Sequence, residues 1–410
     1  MNLSPRQLAA VLCLWSVLFL LPFGRAAELP IVIGALYAIA ACVRDPARLR
    51  GAQYRLAFLA FAAYWLPELV SAFDSVAPRK SWTEVATDLR YLPFAVFTVD
   101  ALVLAAARRQ LAWWSALLLL FWIVDALAQS AFGVGFGGAL ESDRVSGIFG
   151  DDNLKLGPVL AVLAPITILV ALDRYGRAFA LAIWALAALA VLLAGARGGW
   201  ISFAVVTLAL LWRVAASPQR FVGGLLLAGV AAAAAIGTSY QLSERFAARV
   251  DRTLAAFDGT RGGLETALAY RASIWQTALD MSLAHPWNGV GVRAFRHDYL
   301  DHAAVDDQWL ALNPGQGAFH AHHWVLEVAS ETGAFGLACW VALWLVLWRH
   351  WRALAREQRH GVAAYSIALL AMLFPLNTHF AFYSSFWSNL YFWLLLVWIA
   401  QLPPARERLP

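Results

Sequence analysis

Phe319-His320-Ala321-His322-His323-Trp324-Val325-Leu326-Glu327 runs on through Val328-Ala329-Ser330-Glu331-Thr332-Gly333 into an apolar segment at 334–349. A long polar stretch ends here and a membrane-length run begins. Crossing a hydrocarbon core of about 30 Å takes roughly 20 helical residues. Apolar segments near that length fall at 6–24, 28–43, 54–73, 84–107, 110–131, 154–173, 178–196, 198–214, 220–238, 334–349, 361–378 and 385–402. The pattern predicts an all-α polytopic membrane protein with about twelve transmembrane helices, because a helix satisfies its own backbone in lipid.

Composition supports that class. Hydrophobic residues make up 61% of the chain and charged residues only 14%, against about a quarter charged in soluble domains, and the mean hydropathy is +0.63. The net charge of +5 would suggest a nucleic-acid partner in a soluble domain. Here the arginines sit in short loops, where topology explains them, and no nucleic-acid partner is expected. Cys13, Cys42 and Cys339 fall inside apolar runs without CxxC spacing, so they read as packing residues. The first apolar run has one arginine before it and no small-x-small cleavage site after it, which reads as an uncleaved helix.

Orientation follows from the short loops. With the N-terminus inside, Arg44, Arg48, Arg50 and Arg55, the pair Arg108 and Arg109, Arg174 and Arg177, and Arg349 to Arg359 all fall on the inner side. Both termini are then cytoplasmic. Polar stretches at 74–88, 132–153, 195–199 and 239–321 share the outer face. Three regions result: transmembrane helices over 1–238, a helical outer loop domain over 239–333, and the last transmembrane helices with a cytoplasmic tail over 334–410.

The long segment 239–321 should carry its own helices. Tyr270 to Leu279 shows helical apolar spacing that continues through Ile274, Ala278 and Met281. His285-Pro286 ends that helix, since proline disfavours helix in the residue before it. Trp287-Asn288-Gly289-Val290-Gly291 then reads as a tight turn. A phosphate cradle is a weaker reading of its GxG, because no strand precedes it.

The candidate chemical groups lie on the outer face. His322 and His323 stand at the start of a helical pattern, with His322 on the face of Leu326 and Gly333. They read as a general base or as solvated interfacial groups. A metal site with His320 lacks HExxH spacing or a well-placed carboxylate. Arg197, in Gly195-Ala196-Arg197-Gly198-Gly199-Trp200, reads as an interfacial anchor or as an anion ligand whose glycine neighbours let a headgroup approach. Co-occurrence favours chemistry: Arg197, Arg271, Arg90 and Lys155 suit a pyrophosphate headgroup, and a histidine with an ordinary pKa of ~6.5 can take a hydroxyl proton. Glu68, Asp100 and Asp125 inside apolar segments raise the rival reading of a transporter, but no paired repeat or broken helix accompanies them.

Several motifs in order resemble the O-antigen ligase and polymerase superfamily: Ala196-Arg197-Gly198, Tyr270-Arg271-x-x-Ile274-Trp275, Pro286-x-x-Gly289-Val290-Gly291, His322-His323-x-x-Leu326 and Glu331-Thr332-Gly333-x-x-Gly336-Leu337. The resemblance is densest over 140–340. It implies a fold related to the multi-span C-type glycosyltransferases and a periplasmic active site in the bacterial inner membrane. The implied donor is a glycan on undecaprenyl pyrophosphate, the acceptor is lipid A-core, and no cofactor or metal is implied. By this resemblance His322 is the catalytic histidine, and Arg197 and Arg271 hold the donor diphosphate. The family usually carries asparagine after that histidine; this chain has His323, so both imidazoles are candidates. Arg144 to Asn153 resembles the family's outer loop, where Asp151, Asp152 and Asn153 would meet acceptor sugars or simply be solvated. A polymerase or a protein O-oligosaccharyltransferase would share donor and histidine.

Overall fold

Pro93 divides a segment that hydropathy reads as one span. In a continuous helix over 84–107 its missing N–H would leave the carbonyl of Leu89 without its bond. The chain instead turns at Leu89-Arg90, and Pro93 falls in the first turn of a new helix, where no such bond is needed. The computed structural model thus has a polar helix, Pro78–Asp88, followed by an apolar one, Tyr91–Ala101. Residues 3–140, 144–150, 153–242, 244–378 and 380–403 are described.

Helix makes up 78% of the structure. The strands among the described residues are a two-residue pair, Val134–Gly135 with Gly138–Ala139. Among the described residues, six helices are long and apolar enough to cross a membrane: Gly24–Arg44, Ala105–Phe132, Leu156–Tyr175, Arg197–Val214, Pro218–Thr238 and Trp324–Arg352. Pro5–Leu20, Arg177–Leu193 and Ser385–Ala400 are shorter and apolar. The protein is an all-α, multi-pass membrane protein. The Trp324–Arg352 helix starts ten residues before the apolar run that suggested it, because the polar Glu327 to Thr332 turns bury inside the fold.

The chain forms two compact units. The first comprises Met1–Ser115, Ile274–Leu369 and Phe380–Pro410; the second comprises Ala116–Ser273 and Leu370–His379. The long polar segment is therefore shared, passing from one unit to the other after Ser273.

In the first unit the Ser385–Ala400 helix is buried on every face from Trp387 onward, as an element apolar all round should be. Lipid gives helices little hydrophobic reason to associate, so packing and interhelical hydrogen bonds must hold them. Tyr91 stacks on Phe392 at 4.1 Å, a contact of about 0.5–1.5 kcal/mol. The Tyr91 hydroxyl donates to Asn389 Oδ1 at 2.7 Å, and Trp393 Nε1 donates to the Leu14 carbonyl at 2.8 Å. A separate apolar core of Ile274, Ala278, Met281, Phe295, Tyr299 and Ala321 lies beneath the 285–323 segment. The expected helical face of Ile274, Ala278 and Met281 is the one buried there.

In the second unit Leu156–Tyr175 is the central helix, buried along most of its length against Arg177–Leu193 and Arg197–Val214. A Cβ on Gly199 would stand 3.0 Å from the Gly157 carbonyl carbon. The two backbones cross in contact, as small residues permit in membrane helices. The apolar window of Pro218–Thr238 has none of its residues buried, which suits a helix whose surroundings are lipid.

Candidate functional site

The first unit contains a broken helix. Trp324–Arg352 is interrupted at Gly333, whose φ of 64° and ψ of −161° are not helical. The loop after His285 inserts into this break. Val290 N–H donates to the Ser330 carbonyl at 2.8 Å and Gly291 N–H to that of Glu331 at 3.1 Å. In return Ala334 N–H donates to the Pro286 carbonyl at 2.9 Å and Phe335 N–H to that of Trp287 at 3.0 Å. The helix's lost backbone partners are thus replaced by the loop. Gly289-Val290-Gly291 does turn, with φ of +68° at Gly289 and +107° at Gly291. Its glycines do more than turn, because a Cβ on Gly291 would stand 2.1 Å from Ser75 Oγ. Ser71 Oγ accepts from Val292 N–H at 3.0 Å and Ser81 Oγ donates to the Val292 carbonyl at 2.7 Å. The loop is fixed on both sides.

The histidines precede the same broken helix. The helix begins only at Trp324, with His323 as an extended N-cap residue, so His322 lies in the turn before it. This corrects the expectation of a helical face shared with Leu326. His322 has a left-handed φ of 50°, a conformation histidine adopts more readily than most side chains but still at some cost. Its N–H donates to His320 Nδ1 at 3.1 Å, and the two imidazoles lie 3.8 Å apart by centroid. Trp309 stands 6.2 Å from the His322 ring. His323 meets Trp275 edge-on at 5.8 Å. Burial lowers the His323 pKa from its ordinary value, which keeps that ring neutral near pH 7.

Sequence reading passed over the carboxylates behind this turn. Glu327 and Glu331, four residues apart on one helix face, are both buried. Glu327 accepts from the backbone N–H groups of Phe382 at 3.1 Å and Tyr383 at 3.3 Å, fixing the approach to the last helix. Glu331 Oε2 accepts from Arg293 N–H at 2.6 Å. Arg293 also has a left-handed backbone, φ 59°. Burial opposes the charge of its guanidinium, but Glu331, Glu84 and Glu327 outweigh burial and raise its pKa further. The available signal was the pair of glutamates at i and i+4 in a helix leading into the membrane.

The second unit gathers cations. Arg197 opens its helix and donates through Nη1 to the Ala267 carbonyl. Arg271 donates through Nη1 to Thr378 Oγ1 at 3.1 Å. Burial brings the Arg271 pKa down to about 10, helped by Arg197 and Arg144, both of its own sign. Arg249 is 7% exposed, and its guanidinium lies over Gly195, where a Cβ would meet Nη1 at 2.1 Å. The glycines around Arg197 therefore serve protein contacts, Gly195 with Arg249 and Gly199 with Gly157, where headgroup access had been the expectation. Arg144 and Arg249 belong to this group and were not singled out as ligands by the sequence.

Arg90, in the first unit, pairs with Asp88 at 2.9 Å and donates to the Tyr91 hydroxyl at 2.9 Å. Lys155 precedes the Leu156–Tyr175 helix, its N–H bonded to Asn153 Oδ1 at 3.2 Å. Asp151 and Asp152 lie outside the described residues. The membrane carboxylates have structural work: Asp100 pairs with Arg48 at 2.8 Å, and Asp125 Oδ1 accepts from Phe136 N–H at 2.8 Å. Glu68 is fully buried, with Asp88 the charge acting on it most strongly.

Residues 181–341 match the family model described as O-Antigen ligase, which supports membership of the O-antigen ligase superfamily. The matched span contains Arg197, Arg271, Gly289, His322, His323 and Gly333. No curated protein matches the chain.

Proposed function

We propose, from membership of the O-antigen ligase superfamily over residues 181–341, that this protein transfers an O-antigen glycan from undecaprenyl pyrophosphate to a hydroxyl of lipid A-core. Transfer takes place at the periplasmic face of the bacterial inner membrane, with both chain termini cytoplasmic. His322 accepts the proton of the acceptor hydroxyl as that oxygen bonds to the anomeric carbon of the donor. The bond from the anomeric carbon to the diphosphate oxygen breaks with its electron pair, and undecaprenyl pyrophosphate leaves as an anion. Arg197 and Arg271 receive it, with Arg90 and Lys155 as secondary cations for the donor. His322 then returns its proton to water. One displacement inverts the anomeric centre, and no metal is required because guanidinium groups stabilise the leaving charge.

The observation that carries this reading is Arg271: a half-buried guanidinium whose strongest charged neighbours are Arg197 and Arg144. Like charges held together in a partly desolvated place are stabilised by a polyanion such as diphosphate. His323 is the second candidate base. Asn153, with Asp151 and Asp152, is proposed on the acceptor side. An O-antigen polymerase or a protein O-oligosaccharyltransferase would use the same donor and base and differ in the acceptor.

The test incubates purified protein with a polyprenyl-diphosphate glycan and core lipopolysaccharide, separately with unfinished O-antigen and with a hydroxyl-bearing peptide. Transfer to core lipopolysaccharide alone supports the ligase. Transfer to one of the other acceptors moves the assignment to the polymerase or the protein-modifying class. Uptake of solute into proteoliposomes without any glycan transfer would overturn the proposal.

A further inference from the structure

The histidines that drew attention in the sequence are not those whose ligand atoms converge. Among the described residues, His285, Asp298 and His302 each offer one ligand atom, and these atoms lie within 4.8 Å of one another. Asp298 and His302 are four residues apart on the Phe295–His302 helix, with Asp298 Oδ2 3.0 Å from His302 Nε2. The His285 ring stands 6.5 Å from that of His302 at an interplanar angle of 82°, so the two rings approach edge to face. Asp298 is only 5% exposed. Its Oδ2 is buried without a hydrogen bond, since the contact to the imidazole has the distance of one but not its geometry. A buried carboxylate oxygen left in this condition is costly, and a cation between it and the two rings removes the cost.

We infer that His285, Asp298 and His302 bind a divalent transition-metal ion, with zinc the ion their two nitrogens and one oxygen suit best. Ligand atoms around a tetrahedral zinc with bonds of about 2.0 Å stand roughly 3.3 Å apart. Asp298 and His302 already meet that spacing. His285 has to draw in by about 1.5 Å to meet it, a shift its half-exposed side chain makes by rotation. Three protein ligands leave the fourth position to water.

Placement gives the ion its role. His285 ends one helix and heads the loop that enters the break at Gly333, while Asp298 and His302 lie on the next helix. The ion clips the two ends of that loop together, which lowers the entropy the loop would otherwise regain on opening. The same Phe295–His302 helix contributes Phe295 and Tyr299, on the adjoining face, to the core that includes Ala321, the neighbour of His322. The ion therefore stabilises the support of the histidine turn and takes no part in bond-making. It binds neutral imidazoles, so acidification releases it.

The test strips purified, detergent-solubilised protein with a chelator and titrates it with Co²⁺ under visible spectroscopy, then with competing Zn²⁺. The expected result is one equivalent of Co²⁺ with ligand-field bands of a low-coordinate N/O site, displaced by Zn²⁺, and a Zn²⁺-dependent rise in melting temperature. His285→Gln and His302→Gln should each lose both signals, while the double variant His320→Gln/His323→Gln keeps them. Should a single variant not fold, Asp298→Asn takes its place in the same titration. Absence of stoichiometric Co²⁺ in the parental protein overturns the site, and so does binding that survives both single variants or vanishes in the 320/323 variant.

Discussion

Gly289 lies against Glu331 so closely that a Cβ on the glycine would stand 2.3 Å from the glutamate's carbonyl carbon. The loop and the helix share backbone here, and Gly333 repeats the contact from the other side, its would-be Cβ 2.4 Å from the Trp287 carbonyl carbon. Both glycines also have positive φ. Gly289→Ala should therefore cost about 1–3 kcal/mol in backbone strain alone, before any displacement of Glu331. A lowered melting temperature and lost transfer are expected. A parental melting temperature would show that the loop does not insert as described.

Arg293 and Glu331 should be energetically coupled. The Glu331 carboxylate accepts the Arg293 N–H and favours the charge of its guanidinium, and leaving a buried donor without its acceptor typically costs about 1–3 kcal/mol. Glu331→Ala should lower stability by that order, whereas Arg293→Met added to it should restore part of the loss. Strict additivity in the double-mutant cycle would mean that the backbone bond from Arg293 to Glu331 carries the whole effect.

The two adjacent imidazoles should separate by assay. His322→Ala should slow transfer by about 10²–10⁴-fold, the usual effect of removing a general base. His323→Gln should leave most transfer intact and change stability instead. Burial depresses the His323 pKa, so below the ordinary value of ~6.5 the unfolded chain binds the proton first. His323's share of stability is thus present above that pH and is lost as pH falls through it towards the lower folded value. Unfolding curves of His323→Gln should be less acid-sensitive than the parent between neutral pH and 5. Identical acid sensitivity refutes the burial argument, and parental transfer by His322→Ala refutes the base assignment.

Arg271 should respond to anions. Its charge is held at a pKa of about 10 by burial and by like-charged neighbours, a state that a diphosphate relieves. Inorganic pyrophosphate should raise the melting temperature of the parental protein, and by less in Arg271→Ala. Arg271→Lys and Arg197→Ala should raise the donor KM, since lysine lacks the planar fork that meets phosphate oxygens in pairs. Equal pyrophosphate shifts in parent and Arg271→Ala would remove the anion role.

Membrane class and helix content are carried by composition, and the family resemblance by local motif. Apolar runs of span length dictate helices whatever surrounds them, because unpaired backbone is not tolerated in lipid. Ile274, Ala278 and Met281 announced their buried face through helical period alone. The match over 181–341 covers the stretch that holds the short motifs from Ala196 to Leu337. Pro93 was equally readable, yet averaging hydropathy over a long window hides a single missing N–H.

Tertiary structure decided what no window can contain. The insertion of Gly289-Val290-Gly291 into the break at Gly333 joins segments about forty residues apart through backbone bonds, which leave no side-chain signature. His322 lies outside the helix with a left-handed backbone, its N–H bonded to His320 Nδ1 rather than to a helical carbonyl. Arg144 and Arg249 joined Arg197 only through folding of the second unit. Asp298 found His285 across a turn. The sequence by itself determined which segments are helices and which side chains can do chemistry. Which of those side chains share a pocket of space was settled by long-range packing, since the energy of one buried charge depends on every group that folding brings beside it.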